Sequence, residues 1–208
     1  MGSPRLDSAR LDSTRLEAQI GFLVEIDRLK TILRRTVITD GSRQENSAEH
    51  SWHIAMMATV LAEHAADEGV DVSRVIRLLL VHDIVEIDAG DTFCYDAEAA
   101  SDQSERERRA ADRLFGLLPP DQAEELRAAW DEFEEGTTSE ARFAWAIDRL
   151  QPLLLNHRTG GHSWRLHGVA FSQAVERFRV LESASPGLWA FALGILEEAR
   201  DKGWLKDA

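Results

Sequence analysis

The sequence predicts an all-α fold folded as one domain, and three observations predict it. Apolar residues recur at three- and four-residue spacing along most of the chain. Helix-start signatures stand before several of these runs. Segments that alternate apolar and polar residues are almost absent, and no hairpin signal is found.

The elements follow in order. Residues 5–17 carry an imperfect repeat, RLDSA–RLDST–RLEAQ, with few large apolar groups. It reads as a flexible tail over residues 1–15 or as the leading turns of the first helix. Ile20, Leu23, Val24, Ile26, Leu29 and Leu33 then recur at helical spacing. A second helix starts near Asn46 or Ser47, with Glu49 as a capping-box partner. A third starts near Asp71 or Ser73 and runs to about Ile87. The charged stretch 100–115 reads as an exposed helix ending at Gly116. Pro119 and Pro120 open another at DQAEEL. TTSE (137–140) is a capping box before ARFAWAIDRLQPLLL. Ser185 and Pro186 cap the last helix, LWAFALGILEEAR, and Gly203 closes it. The total is seven or eight helices. No Pro/Gly/Ser-rich linker divides residues 16–208, so they form a single domain.

Composition narrows the class. A chain of 208 residues with 44% hydrophobic content builds one sizeable core. It has no apolar run of the roughly 18 residues a membrane span needs, and its N-terminus has no apolar signal region. A single cysteine, Cys94, excludes an internal disulfide and points to a reducing, cytoplasmic setting. Cys94 also has no base nearby in sequence and is not read as a nucleophile. The net charge of −13, from 24 basic and 37 acidic residues, disfavours nucleic-acid binding. An anionic small molecule stays compatible, because a metal ion and one or two arginines can override the global field locally.

The chemistry concentrates in VHDIVEIDAGD (81–91). With 7 histidines and 17 aspartates, chance alone yields a His-Asp dipeptide in roughly every second chain of this composition. The setting carries the information. From Val72 to Ile87 the helix is apolar nearly all round, so it is expected to be buried. A buried carboxylate is costly unless it is paired or bound to a metal. Asp83 and Glu86 are three apart, and His82 and Glu86 four apart, so their side chains can share one pocket. An interior ion pair with an arginine and a divalent metal site are both open on this helix alone.

Two further helices add to it. ENSAEHSWHIAMMATVLAEH carries His50 and His53 one turn apart, of which only one need be a ligand; its order is not the H-E-x-x-H pattern. FAWAIDRLQPLLL carries Asp148 in another apolar run, with Pro152 a turn later. Isolated His and Asp residues on three apolar helices suggest one shared polar centre. Two imidazoles and two carboxylates suit Mn²⁺, Fe²⁺, Co²⁺ or Zn²⁺ better than a bare Mg²⁺ site.

The order H…HD…D resembles the HD-domain metal-dependent phosphohydrolase superfamily. RTVITDGSRQENSAEHSWHIAMMA and LLLVHDIVEIDAGDTFCYD are similar to the bacterial 5′-deoxynucleotidases and their HD-domain relatives. There an arginine precedes E-[SN]-x-[AS]-[ED]-H, and HD-x-x-E-x-x-x-G-D follows about thirty residues later. The resemblance covers roughly residues 20–155 and implies a single HD-domain-like helical bundle. It implies His50, His82, Asp83 and Asp148 as ligands of one divalent ion: Co, Mn, Fe, Zn or Mg. It also implies Glu86 as the acid/base or water-orienting carboxylate, Asp91 on the substrate side, and Arg35 as the arginine that meets phosphate. Where the family often has a tryptophan after this arginine, Thr36, Val37 and Ile38 follow.

The function so implied is hydrolysis of the phosphomonoester of a nucleoside or deoxynucleoside 5′-monophosphate. Rivals are an HD-type phosphodiesterase or polyphosphate hydrolase, and a non-catalytic helical binding protein whose polar centre is an ion-pair network. The resemblance also implies a homodimer, with the apolar last helix as a candidate interface. The cluster HRTGGHSWRLH (157–167), with His157, His162 and His167, is read as a loop beside the pocket and not a metal site. His64 is read as solvated, Asp88 as structural or solvated, and the six tryptophans as sitting mostly at core spacing.

Overall fold

The computed structural model describes residues 4–91 and 102–207, with 4–12 as backbone only. Its helices are α1 (Pro4–Ile26), α2 (Ser47–Leu61), α3 (Val72–Val81), α4 (Glu86–Ala89), α5 (Gln103–Phe115) and α6 (Pro120–Glu135), then α7 (Ser139–Arg158), α8 (His162–His167), α9 (Phe171–Phe178), α10 (Val180–Ala184) and α11 (Pro186–Asp201). The all-α expectation holds. Among the described residues eight of these helices reach eight residues, and α4, α8 and α10 are shorter pieces. The repeat of residues 5–17 lies in the leading turns of α1. Cys94 and the start of the 100–115 stretch lie outside the described residues.

Local chemistry explains most boundaries. Asn46 caps α2: its side chain accepts from Glu49 N while Glu49 answers at Asn46 N, which is the expected capping box. Asp71 caps α3 through Ser73 N and Arg74 N. Pro120 opens α6, Ser185 accepts from Leu188 N at the start of α11, and Gly203, with φ +69°, turns the chain away after it. The TTSE box does not form. The cap of α7 is Thr138, bonded to Ala141 N, and Glu140 instead accepts from Asp71 N.

The expected absence of a hairpin is overturned. β1 (Leu33–Val37) pairs antiparallel with β2 (Gln44–Asn46). The turn between them carries Asp40-Gly41, with Gly41 at φ +71° and Asp40 Oδ1 accepting from Ser42 N. An Asp-Gly pair after a β-branched run (Thr36–Thr39) is a hairpin signal in its own right. The strands are too short to announce themselves by alternation. The register holds Leu33 opposite Asn46 and Val37 opposite Gln44, so β1 bulges between its ends.

The third helix is also not continuous to Ile87. α3 stops at Val81, and His82–Val85 tightens into a 3₁₀ turn before α4. The break marks a change of core. Val75, Leu78 and Leu79 pack in the larger apolar cluster with α2, α7 and the C-terminal helices. Val81, Ile84, Val85 and Ile87 pack in a second cluster with α1, α5 and Trp130. Each such buried aliphatic side chain contributes roughly 1.5–3 kcal/mol. The polar residues of 82–86 therefore sit at the seam between two cores.

Two other expectations change. Of the six tryptophans only Trp130 and Trp164 are buried, and Trp52 is 66% exposed. The apolar face of α11 is turned into the protein's own core through Leu188, Ala192, Ile195, Leu196 and Ala199, leaving Phe191 outside. It is α1 that leaves Leu16, Ile20, Leu23 and Val24 exposed. Among the described residues no helix is long and apolar enough to cross a membrane.

Candidate metal centre

His50, His82 and Asp83 present ligand atoms that all lie within 4.8 Å of one another, and all three residues are buried. Asp148 joins them from α7: its Oδ1 is 3.0 Å from His50 Nε2 and 3.7 Å from His82 Nε2. Asp83 faces the same two rings, at 2.8 Å from His82 Nε2 and 3.9 Å from His50 Nε2. The three apolar helices thus bring the four residues together.

The ring orientations fit a cation. His82 Nδ1 lies 2.9 Å from the Leu79 carbonyl, which can only accept, so Nδ1 carries the hydrogen. In the neutral ring Nε2 then points a lone pair at two carboxylates. That atom is buried and has no hydrogen-bond partner among the described residues. Acceptors facing one another at this range repel unless a proton or a metal ion stands between them. Two imidazole nitrogens and two carboxylates are a donor set for a divalent ion, so the residues present fit one.

The carboxylates divide in character. Burial works against ionising Asp83, but the His82 and Arg34 charges outweigh it and hold this carboxyl at about 2. Asp148 is likewise held well below the ordinary range: burial opposes, and the adjoining His50 and His82 rings prevail. The same two carboxylates keep the His82 imidazole well above its ordinary value against the pull of burial. Glu86 goes the other way. Burial first and the Asp83 charge second raise it well above a normal glutamate, with Arg34 opposing. Its Oε2 accepts a hydrogen bond from Ser47 Oγ at 2.6 Å. Asp91 is also raised, chiefly by burial, and lines the same cavity.

That cavity has a volume of about 280 Å³. One end holds His82, Asp83, Glu86, Asp91 and Asp148, with Arg34 and Arg35 beside them; the rest is walled partly by Phe133, Trp145, Trp164 and Phe178. Both arginines reach it because the bulge in β1 interrupts the alternation that would send neighbours to opposite faces. Arg35, the residue expected from the sequence, is exposed on the cavity wall. Arg34 is half-buried and carries the direct contact, Nη1 to Asp83 Oδ2 at 2.9 Å. Charge on Asp83, Glu86, Asp91 and Asp148 raises its pKa further, against desolvation.

The remaining expected residues fall into place. His53 is turned from the centre and meets Gln151. Asp88 is structural, clamped by Arg113, which also bonds Glu25 of α1. The 157–167 segment does border the cavity, through Ser163 and Trp164. Asn156 Oδ1 accepts from both of their backbone amides, which ties the segment to α7. Its histidines stay outside: His157 pairs with Glu198, and His162 and His167 are exposed.

Sequence reasoning missed Arg34, Glu45, Gln151, Glu107 and Glu134. Glu107 and Glu134 line the outer cavity, and burial together with the Glu107 charge pushes Glu134 up to about 7. Gln151 had a usable signal, since it lies three residues after Asp148 on the same helix face.

A family model described as the HD domain matches residues 26–189. A human protein named 5′-deoxynucleotidase HDDC2 is 29% identical over 163 residues, which cover 74% of this chain and 78% of that protein. The chain is also similar to a crystal structure described as a predicted metal-dependent phosphohydrolase from Magnetospirillum magnetotacticum MS-1. That match has a TM-score of 0.88 at 57% identity, over 92% of this chain and 96% of that one. A conserved hypothetical protein from Pyrococcus furiosus shares the fold at 22% identity, with a TM-score of 0.60 over 88% of this chain and 99% of that one.

Proposed function

The chain belongs to the HD domain family, and from that premise we propose that it is a metal-dependent phosphohydrolase releasing phosphate from nucleoside 5′-monophosphates, deoxynucleotides foremost. One observation carries the reading. A buried His-His-Asp-Asp centre opens into a cavity that also holds a protonatable glutamate and two arginines. The human relative's name supplies the substrate class.

His50, His82, Asp83 and Asp148 would hold the ion, which when bound would supply Lewis-acid charge and lower the pKa of water. Arg34 and Arg35 offset the remaining phosphate charge. Glu86 stands four residues from His82 with Ser47 fixing its Oε2. Its pKa is raised above that of an ordinary glutamate, which makes it the better placed carboxyl to hand over the proton that hydrolysis requires when the P–O bond breaks and the 5′ oxygen leaves. Asp91 orients the substrate side of the same cavity. Trp145 and Trp164 offer the nucleoside the aromatic surface that Thr36 does not.

The homodimer belongs to this reading, with its contact on the exposed apolar stripe of α1 instead of α11. Sedimentation of Leu23→Glu against the native chain checks it, a dimer in both placing the contact elsewhere.

The function itself is tested by phosphate release from a panel of ribo- and deoxynucleoside monophosphates with Co²⁺ or Mn²⁺, alongside metal analysis of native and His82→Ala protein. About one tight divalent ion, lost on mutation, and turnover of monophosphates are expected. Release only from a diester or a triphosphate would move the chain to another branch of phosphate hydrolysis. A native protein that holds no ion and hydrolyses nothing sinks the enzyme reading.

A further inference from the structure

Gln151 is fully buried, lies outside the ligand set, and touches three polar groups at once. Its Nε2 is 2.5 Å from Glu45 Oε1 and 3.3 Å from His53 Nδ1, and its Oε1 is 3.1 Å from His50 Nδ1. The orientation of an amide is normally an assignment, because its oxygen and nitrogen look alike. Here the neighbours decide it. The Glu45 carboxylate is buried and accepts only, so the amide nitrogen must face it. The amide oxygen therefore faces His50. An amide oxygen also accepts only, so His50 Nδ1 must donate. His50 Nε2 is left to turn its lone pair towards Asp148 and Asp83.

Glu45 cannot do this directly, since its carboxylate stands 3.8 Å from His50 Nδ1. It is itself fixed by Thr36 Oγ1 at 3.4 Å and approached by Arg34 Nε at 3.9 Å. Three elements meet to make the arrangement. Glu45 is on β2, His50 on the first turns of α2, and Gln151 on α7. We infer that Gln151, itself oriented by Glu45, is a positioning residue that sets the His50 tautomer, so that Nε2 is presented to the metal ion. This rests on the metal reading above. Partners that fix a ligating histidine through its other ring nitrogen tune metal affinity as well as geometry. The bland alternative is a buried amide that merely satisfies its neighbours and fills space.

Zinc-loaded, ¹⁵N-labelled protein separates the two. The readouts are the His50 Nδ1–H resonance and Zn²⁺ affinity by chelator competition. The native protein is expected to show a slowly exchanging, hydrogen-bonded Nδ1–H. Gln151→Ala should lose that protection and bind Zn²⁺ about 10- to 100-fold more weakly. Gln151→Glu sets two carboxylates against each other across the 2.5 Å contact and should also weaken binding. Adding Glu45→Gln to it restores one donor and one acceptor, and should recover most of the affinity and the Nδ1–H signal. A purely structural amide predicts no such recovery in the signal. Native-like zinc binding by Gln151→Ala overturns the inference. If that variant does not fold, the comparison of Gln151→Glu with and without Glu45→Gln decides it, and failure to recover overturns it. Native protein that binds no zinc refutes the metal reading itself, and shows this before any variant is made.

Discussion

Arg34 Nη1 lies 2.9 Å from Asp83 Oδ2, with the two side chains 14% and 9% exposed. A guanidinium therefore stands against a proposed metal ligand, and its neighbour Arg35 does not. Removing one member of a buried pair typically costs about 3–5 kcal/mol, because the other charge stays desolvated. Asp83 keeps His82, so the lower end applies. Arg34→Ala should lower the urea midpoint of chelator-treated protein clearly, and a divalent ion should restore part of the loss by replacing the missing positive charge. Arg35→Ala should shift stability by less than about 0.5 kcal/mol while raising KM for a monophosphate. Equal destabilisation by both substitutions would contradict this division of labour.

Glu86→Gln keeps the shape of the side chain and the contact to Ser47 but cannot move a proton. Metal content should stay at the native level while kcat falls by about 10²- to 10⁴-fold. Steady-state kinetics with metal analysis on the same samples checks it. Native turnover would remove Glu86 from the mechanism.

The acid side of the stability profile follows from Asp83. Its folded pKa, about 2, lies below the ordinary 3.8. Between those values the unfolded chain binds more protons, so stability rises with pH across the window. The contribution is complete above 3.8 and is lost as pH falls towards 2. Glu134 has the opposite sign, with a folded pKa raised from 4.5 to about 7. Its contribution is present below 4.5 and is lost as pH climbs through 7, and Glu86 acts in the same direction. Metal-free protein should therefore be most stable between the two windows. Glu134→Gln should shrink the decline between pH 4.5 and 7 and leave the acid limb alone. Thermal midpoints against pH for both proteins test it.

Gly136 seats the aromatic wall. It ends α6 at φ +62°, and a Cβ built there would lie 2.2 Å from Trp145 Cη2. Trp145 packs edge-on to Phe133 at 6.4 Å, and Phe133 in turn covers the His82 ring at 4.6 Å. Gly136→Ala adds backbone strain and forces the indole to shift. The expected outcome is lower thermal stability and a KM change larger than the kcat change. An unaltered KM would show that Trp145 does not meet the substrate.

Much of the candidate site is legible because metal ligation restricts residue type. Isolated His50, His82, Asp83 and Asp148 in apolar helices need a common explanation, and the HD spacing narrows it. Caps at Asn46, Asp71 and Ser185 are equally local and can be read directly. The hairpin escapes because its strands are short, although Asp40-Gly41 marks its turn. Gln151 and Glu45 escape although each stands at a readable spacing, Gln151 one turn after Asp148 and Glu45 at the head of the motif that ends in His50, because only the packing of α7 against β2 and α2 makes them partners.

By itself the sequence determined the helical class and the acidic balance, because periodicity and charge are properties of near neighbours, and its resemblance to the family singled out the candidate ligands His50, His82, Asp83 and Asp148. Only the tertiary structure decided which arginine meets Asp83, which nitrogen of His50 faces the centre, and where the chain crosses from one core to the other. Those depend on a bulge between Leu33 and Val37, on contacts between residues about a hundred positions apart, and on a helix that tightens at His82. Long-range packing sets all three.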